Sequence, residues 1–146
     1  LVALEYLEIH RNKVHSLTPI EALENLTMFI ASNNVIEDAT ALKNLHKLTF
    51  VNLSENPLES IEFAKELPDL DRLQISDTDV ADLTPLANAK NLYYLDIRGT
   101  KVTSVQPLVG LTNLKYLLLN KETVEDWTLL EKDDGPIISE ITILAE

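Results

Sequence analysis

Six stretches of this chain carry one pattern of apolar residues, each beginning 22 residues after the last. They are "LEYLEIHRNKV" from Leu4, "LTMFIASNNVI" from Leu26, "LTFVNLSENPL" from Leu48, "LDRLQISDTDV" from Leu70, "LYYLDIRGTKV" from Leu92 and "LKYLLLNKETV" from Leu114. Counting each start as place 1, apolar side chains fill places 1, 4, 6, 11, 14 and 17, as in Leu92, Leu95, Ile97, Val102, Val105 and Leu108. That spacing follows neither the period of a helix nor the alternation of a lone strand. It predicts a short strand over places 3 to 7, a turn, an extended stretch near place 11 and a tight helical turn over places 13 to 17. No unit can bury its apolar residues alone, so neighbours must stack into one continuous core.

Two polar columns share the same phase. Place 9 holds Asn12, Asn34 and Asn56, whose amides can bond backbone groups that a turn leaves unpaired. The column continues as Thr78, Thr100 and Glu122. Threonine can make a shorter version of that bond, but a glutamate in a buried turn would carry an uncompensated charge, which predicts a distorted sixth unit. Place 13 alternates Ser16, Asp38, Ser60, Asp82, Ser104 and Asp126, all residues that accept a backbone N–H at the start of a helical turn. Pro19, Pro85 and Pro107, three residues further on, fit such a turn.

The pattern Leu-x-x-Leu-x-Leu-x-x-Asn-x-Leu resembles that of leucine-rich repeats over nearly the whole chain. It is similar in particular to the 22-residue repeats of bacterial internalins, which also place a proline just before the place-17 leucine and often carry "LTNL" at the junction. Here "LTPL" stands at 83 to 86 and "LTNL" at 111 to 114. The resemblance implies an α/β leucine-rich repeat solenoid. A parallel β-sheet would line its concave face and short 3₁₀ or helical turns its convex face, in a right-handed superhelix. Residues 1–146 read as a single such domain. Leu1 falls late in a preceding unit, and Ile138, Ile141 and Ile143 match places 1, 4 and 6 of a seventh after a sixth unit lengthened by two residues around "DDGP". The expectation is a piece of a longer protein whose seventh strand, Ile138 to Leu144, pairs in parallel with the sixth.

Successive side chains of a strand alternate sides, so places 4 and 6 face the core and places 3, 5 and 7 face the concave surface. Place 3 reads Tyr6, Met28, Phe50, Arg72, Tyr94 and Tyr116, which takes four of the chain's eight aromatic residues. Strands about 4.8 Å apart would set them in a ladder across the sheet, with Tyr93 at its rim. Asn52, Gln74 and Asp96 at place 5 and Arg98 at place 7 complete the candidate partner-binding face. Aromatic residues and arginine among small polar ones are what a protein-binding surface uses. Lys90 and Thr112, at place 21, are assigned to the opposite, convex side.

Composition removes most other functions. A net charge of -12 repels nucleic acid and anionic membranes. No apolar run approaches the roughly 20 residues that cross a bilayer, which argues against direct membrane insertion. There is no cysteine for a disulfide, thiolate site or nucleophile. The three histidines, His10, His15 and His46, are not presented together, and none sits on a strand beside Ser54 or Ser76 to activate it. Glu55, Asp77 and Asp79 read as a solvated acidic edge in preference to a hard-cation site. No cofactor, catalytic residue or metal ligand is therefore expected.

The resulting expectation is a protein-interaction module that holds a protein partner on its concave face. Resemblance to internalins implies a secreted or cell-surface bacterial protein with an adhesive or host-facing role. Two other settings remain open at this stage. One is an intracellular scaffold or regulatory subunit, since phosphatase-regulatory leucine-rich repeats also use 22-residue units. The other is a substrate-recognition arm of a larger enzyme.

Overall fold

The computed structural model describes residues 3–131 and 140–143. Seven short strands form one sheet in chain order: β1 Tyr6–Glu8, β2 Met28–Ile30, β3 Phe50–Asn52, β4 Arg72–Gln74, β5 Tyr94–Asp96, β6 Tyr116–Leu119 and β7 Glu140–Ile143. All neighbours are parallel. The register repeats the sequence phase, with Tyr6 opposite Met28, Met28 opposite Phe50 and onward to Tyr94 opposite Tyr116. From β6 to β7 the partners are Tyr116 and Glu140, which reflects the lengthened sixth unit and bears out the parallel seventh strand over 140–143. Ile138 and Leu144 lie outside the described residues.

The return path of each unit is a single 3₁₀ turn. Three are short, Thr18–Ile20, Thr84–Leu86 and Gln106–Leu108, and each carries its proline in the first turn. Three are longer and lack it, Thr40–Asn44, Glu62–Glu66 and Trp127–Glu131. Place 13 starts the turns as expected in five units. Asp38 and Asp82 accept the N–H of Thr40 and Thr84 at 2.8 Å, while Ser60 and Ser104 accept those of Glu62 and Gln106 at 3.2 Å and Ser16 that of Thr18 at 3.4 Å. Asp126 behaves differently. Its carboxylate reaches back to the preceding unit, accepting from the Val105 N–H at 2.8 Å and the Ser104 hydroxyl at 2.6 Å.

The core is one uninterrupted column set. Phe29, Val51, Leu73, Leu95 and Leu117 at place 4 are fully buried, as are Ala31, Leu53, Ile75, Ile97 and Leu119 at place 6. Place 20 adds Leu45, Leu67 and Leu111, an apolar column absent from the six-place pattern. Leu4, Leu7 and Ile9 of the first unit are partly buried and pack against this core.

Asparagine ties the first turns together. Asn34 donates to the carbonyls of Ala31 and Ile9 at 3.0 Å and accepts from the Val14 N–H at 2.9 Å, so one side chain bonds two units. Asn56 repeats this with Leu53 and Ala31 at 3.0 Å and the Ile36 N–H at 3.0 Å. Thr78 and Thr100 instead bond only within their own turn, to Ile75 and Ile97, at 2.7 Å each. The sixth turn is distorted, as its Glu122 predicts. Glu122 is exposed, and Thr123 takes over with a bond from its hydroxyl to the Asn120 carbonyl at 3.1 Å, one place later.

One backbone column escapes sequence reading. Place 8 is left-handed in five successive units, with φ of 54° at Arg11, 55° at Asn33, 55° at Glu55, 54° at Asp77 and 67° at Gly99. Only Gly99 suits that conformation without cost. A Cβ there would also stand 2.2 Å from Asp77 Oδ1, so glycine makes room for the neighbouring carboxylate. The column breaks at Lys121, where the turn is already distorted.

Candidate partner-binding face

On the concave side the place-3 residues stand side by side because the register aligns them, and from β3 to β6 they make a continuous stack. The Arg72 guanidinium carbon lies 5.3 Å from the Phe50 ring centre and 5.3 Å from that of Tyr94, one neighbour on each side. Tyr94 and Tyr116 follow at 6.2 Å between ring centres. Tyr93 leans onto the same Tyr116 edge-to-face at 5.2 Å, so the rim residue belongs to the stack. Lys115 places its ammonium 5.7 Å from the Tyr116 ring. Such contacts hold large side chains in place on a rigid sheet before any partner arrives.

The other end of the column is built differently. Tyr6 is exposed, and its hydroxyl donates to Glu8, which raises the phenol above its ordinary range. The Glu8 carboxylate also pairs with His10 at 2.7 Å. These three satisfy one another. Met28 is half-buried and continues the stripe to Phe50 without a charged group.

Asp96 does not face solvent as its column predicts. It is only 2% exposed, because Arg98 folds back over it with two parallel bonds, 2.9 Å from Nε to Oδ1 and 2.6 Å from Nη2 to Oδ2. The Arg98 backbone N–H adds a third at 3.2 Å. That carboxylate hydrogen bond, above all, raises the guanidinium's hold on its proton. Arg98, about one-third exposed, is what the surface presents, and Asp96 positions it from below. Asn52 and Gln74 are half-buried, and the Asn52 amide oxygen already accepts the Ser54 N–H at 3.0 Å.

Sequence reading missed a shallow depression beside Tyr93, lined by Asp69, Asp71, Asn91, Asn113 and Lys115. It also includes Thr112, which therefore belongs to the rim where chains enter the strands and not to the convex back. The asparagines have local work there. Asn113 donates to the Lys90 carbonyl at 2.6 Å and Asn91 to that of Pro68 at 2.9 Å, which accounts for the asparagine of "LTNL". Place 22, read as a column, would have revealed it.

Among the described residues, the serines and histidines weighed as catalytic candidates are not brought together. The Ser54 hydroxyl accepts the Ser76 N–H at 3.1 Å, and His46 is bonded to the Glu66 carbonyl at 2.9 Å. Among the described residues no three of His, Asp or Glu converge in a metal-binding group. The acidic edge is partnered elsewhere, Glu55 by Asn33 at 2.7 Å and Asp79 by Lys101 at 2.9 Å. Among the same residues no helix is long and apolar enough to cross a membrane.

No family model matches the chain, and no curated protein matches it in sequence. Solved structures do. An internalin from Listeria monocytogenes, InlF, superposes with a TM-score of 0.88 at 29% identity over 97% of this chain. This is an internalin-like leucine-rich repeat protein. The functional domain of InlJ from the same species, described as including a cysteine ladder, matches at 0.74 with 23% identity over 81% of the chain. A leucine-rich repeat protein of Leptospira interrogans matches at 0.73 with 21% identity over 95%. The last two share the fold alone. The chain spans 42% of the InlF chain and 25% of the InlJ chain. This repeat fold is a protein-interaction architecture.

Proposed function

We propose that this solenoid binds a protein partner on its concave face, with Phe50, Arg72, Tyr94, Tyr116 and Tyr93 at the centre, flanked by Tyr6, Met28, Asn52, Gln74 and Arg98, and Asp96 holding Arg98 from beneath. The observation that carries this is the unbroken stack from Phe50 to Tyr93, which sets four aromatic rings and one guanidinium on the open side of a rigid sheet. Exposed aromatic area on a preorganised scaffold gives contact at little entropic cost. A merely protective role would not need the guanidinium among the rings.

The whole protein is proposed to act at a bacterial surface or after secretion, in adhesion or host contact, without enzymatic activity of this region. Similarity to a Listeria internalin over 97% of the chain supports that setting. A plant peptide hormone receptor, RGFR1, solved in complex with RGF2, shares the fold. The test uses a partner retrieved with the wild-type chain. Tyr94→Ala with Tyr116→Ala should weaken its binding by about 2 kcal/mol or more while the circular dichroism spectrum and melt stay unchanged. Full affinity in the double variant would move the site off the concave face.

A further inference from the structure

The chain carries twelve basic against twenty-four acidic residues, yet the outward columns of β1 to β6 depart from that balance. At places 3, 5 and 7 the carboxylates are Glu8 and Asp96, and both are engaged, Glu8 with His10 and Asp96 with Arg98. The remaining charge on those columns is Arg72. It is exposed, and among the described residues its guanidinium makes no ion pair or side-chain hydrogen bond. Even Asp71, next in sequence, lines the depression beside Tyr93 instead of pairing with it. Asp96 and Arg72 stand on adjacent strands, but that carboxylate is buried under Arg98.

Arg72 is held without being used. Phe50 and Tyr94 flank it on the neighbouring strands, each ring centre 5.3 Å from the guanidinium carbon. Ring contacts engage the faces of a guanidinium, while its five N–H donors lie in its plane and stay available. The ordering of a long side chain, normally a cost of binding, is thereby met in the free protein. A planar, preorganised donor fork matches a carboxylate with two parallel bonds, and the flanking rings would cover apolar groups beside it.

We propose that Arg72 is the specificity-determining residue of the concave face, selecting a partner segment that presents a carboxylate next to an apolar side chain. This rests on the concave face being the binding surface, and it adds which chemistry that surface chooses. An acidic ligand for a protein of net charge -12 is selected locally, against the field of the whole molecule. The attraction must therefore come from Arg72 itself and not from long-range steering.

The three arginines of the chain make the test internal. Arginine side-chain Nε–H resonances of the whole chain are followed by NMR while N-acetyl-Asp-Phe-amide, and separately N-acetyl-Asn-Phe-amide, is added. Arg72 should respond to the aspartyl probe at concentrations about tenfold lower than Arg11, the exposed arginine of the first turn. Arg98, whose Nε–Nη2 edge Asp96 already occupies, should respond less than Arg72, and Arg72 should not respond to the asparaginyl probe. In Arg72→Met, which keeps bulk between the rings, the tyrosine ring signals of Tyr94 should no longer separate the two probes. Equal responses at Arg72 and Arg11, or none at Arg72, would overturn the proposal. Tyr94 and Tyr116 shifting alike with both probes while Arg72 is silent would overturn charge selection and leave concave binding intact. Concave binding itself fails only if the double-tyrosine variant keeps full affinity for the retrieved partner.

Discussion

The first three units and the next two solve the same turn with different chemistry. Asn34 and Asn56 each bond their own turn and the preceding one, so the hydrogen bonds of this half run between units. Thr78 and Thr100 bond only within their own turn, so in the other half this column adds nothing between units beyond the sheet ladder and the apolar columns. The concave face divides nearly in step. Tyr6, Glu8 and His10 satisfy one another in the first unit, while Phe50 to Tyr116 leave rings and a guanidinium turned outward. Fold and binding surface are therefore built from separate columns of one repeat, and either can change without the other.

Core truncation gives the largest effects and probes the comparison most severely. Leu95→Ala, fully buried between two stacked units, should cost about 2–5 kcal/mol in denaturant unfolding. Leu7→Ala, only partly buried in the first unit, should cost clearly less. Equal losses would mean that the cost of truncation does not track burial. Next comes the turn column. Asn56→Ala strands the buried Ile36 N–H and Leu53 carbonyl, one in each of two units, and should cost about 3 kcal/mol, against about 1 kcal/mol for Thr78→Ala. If the two variants melt alike, asparagine does not couple units and the division between the halves disappears.

The smallest effect tests where the halves should agree. Asp38 and Asp82, one in each half, both start a 3₁₀ turn. The Thr40 hydroxyl, then its N–H, holds the Asp38 carboxyl below its ordinary range, and the Thr84 N–H, then its hydroxyl, does the same for Asp82. A carboxyl lowered in the folded state adds stability above its unfolded value, and loses it as pH falls through the folded one. The gap in melting temperature between wild type and Asp38→Ala, or Asp82→Ala, should be open at neutral pH and close in acid below the usual carboxylate range. A gap that persists in acid would mean that the capping charge is irrelevant.

Most of the fold was legible because a solenoid writes its contacts at a fixed interval. Places 4 and 6 pointed inward, place 3 outward and place 13 to the turn, and the sheet register repeats that phase. What escaped involved contacts that periodicity does not encode. Asp96 is buried because an arginine two residues later lies over it, a local event in one unit. The left-handed column at place 8 is hidden because Arg11, Asn33, Glu55 and Asp77 share no side-chain chemistry. The depression beside Tyr93 is assembled from four successive units, so no single repeat displays it.

Site-directed photo-crosslinking tests the central claim most directly. A benzoylphenylalanine placed at Tyr94, and separately at Lys43 on the Thr40–Asn44 turn, is irradiated with the retrieved partner bound. The account predicts a covalent adduct from position 94 and none from position 43. An adduct from position 43 with none from position 94 would contradict it.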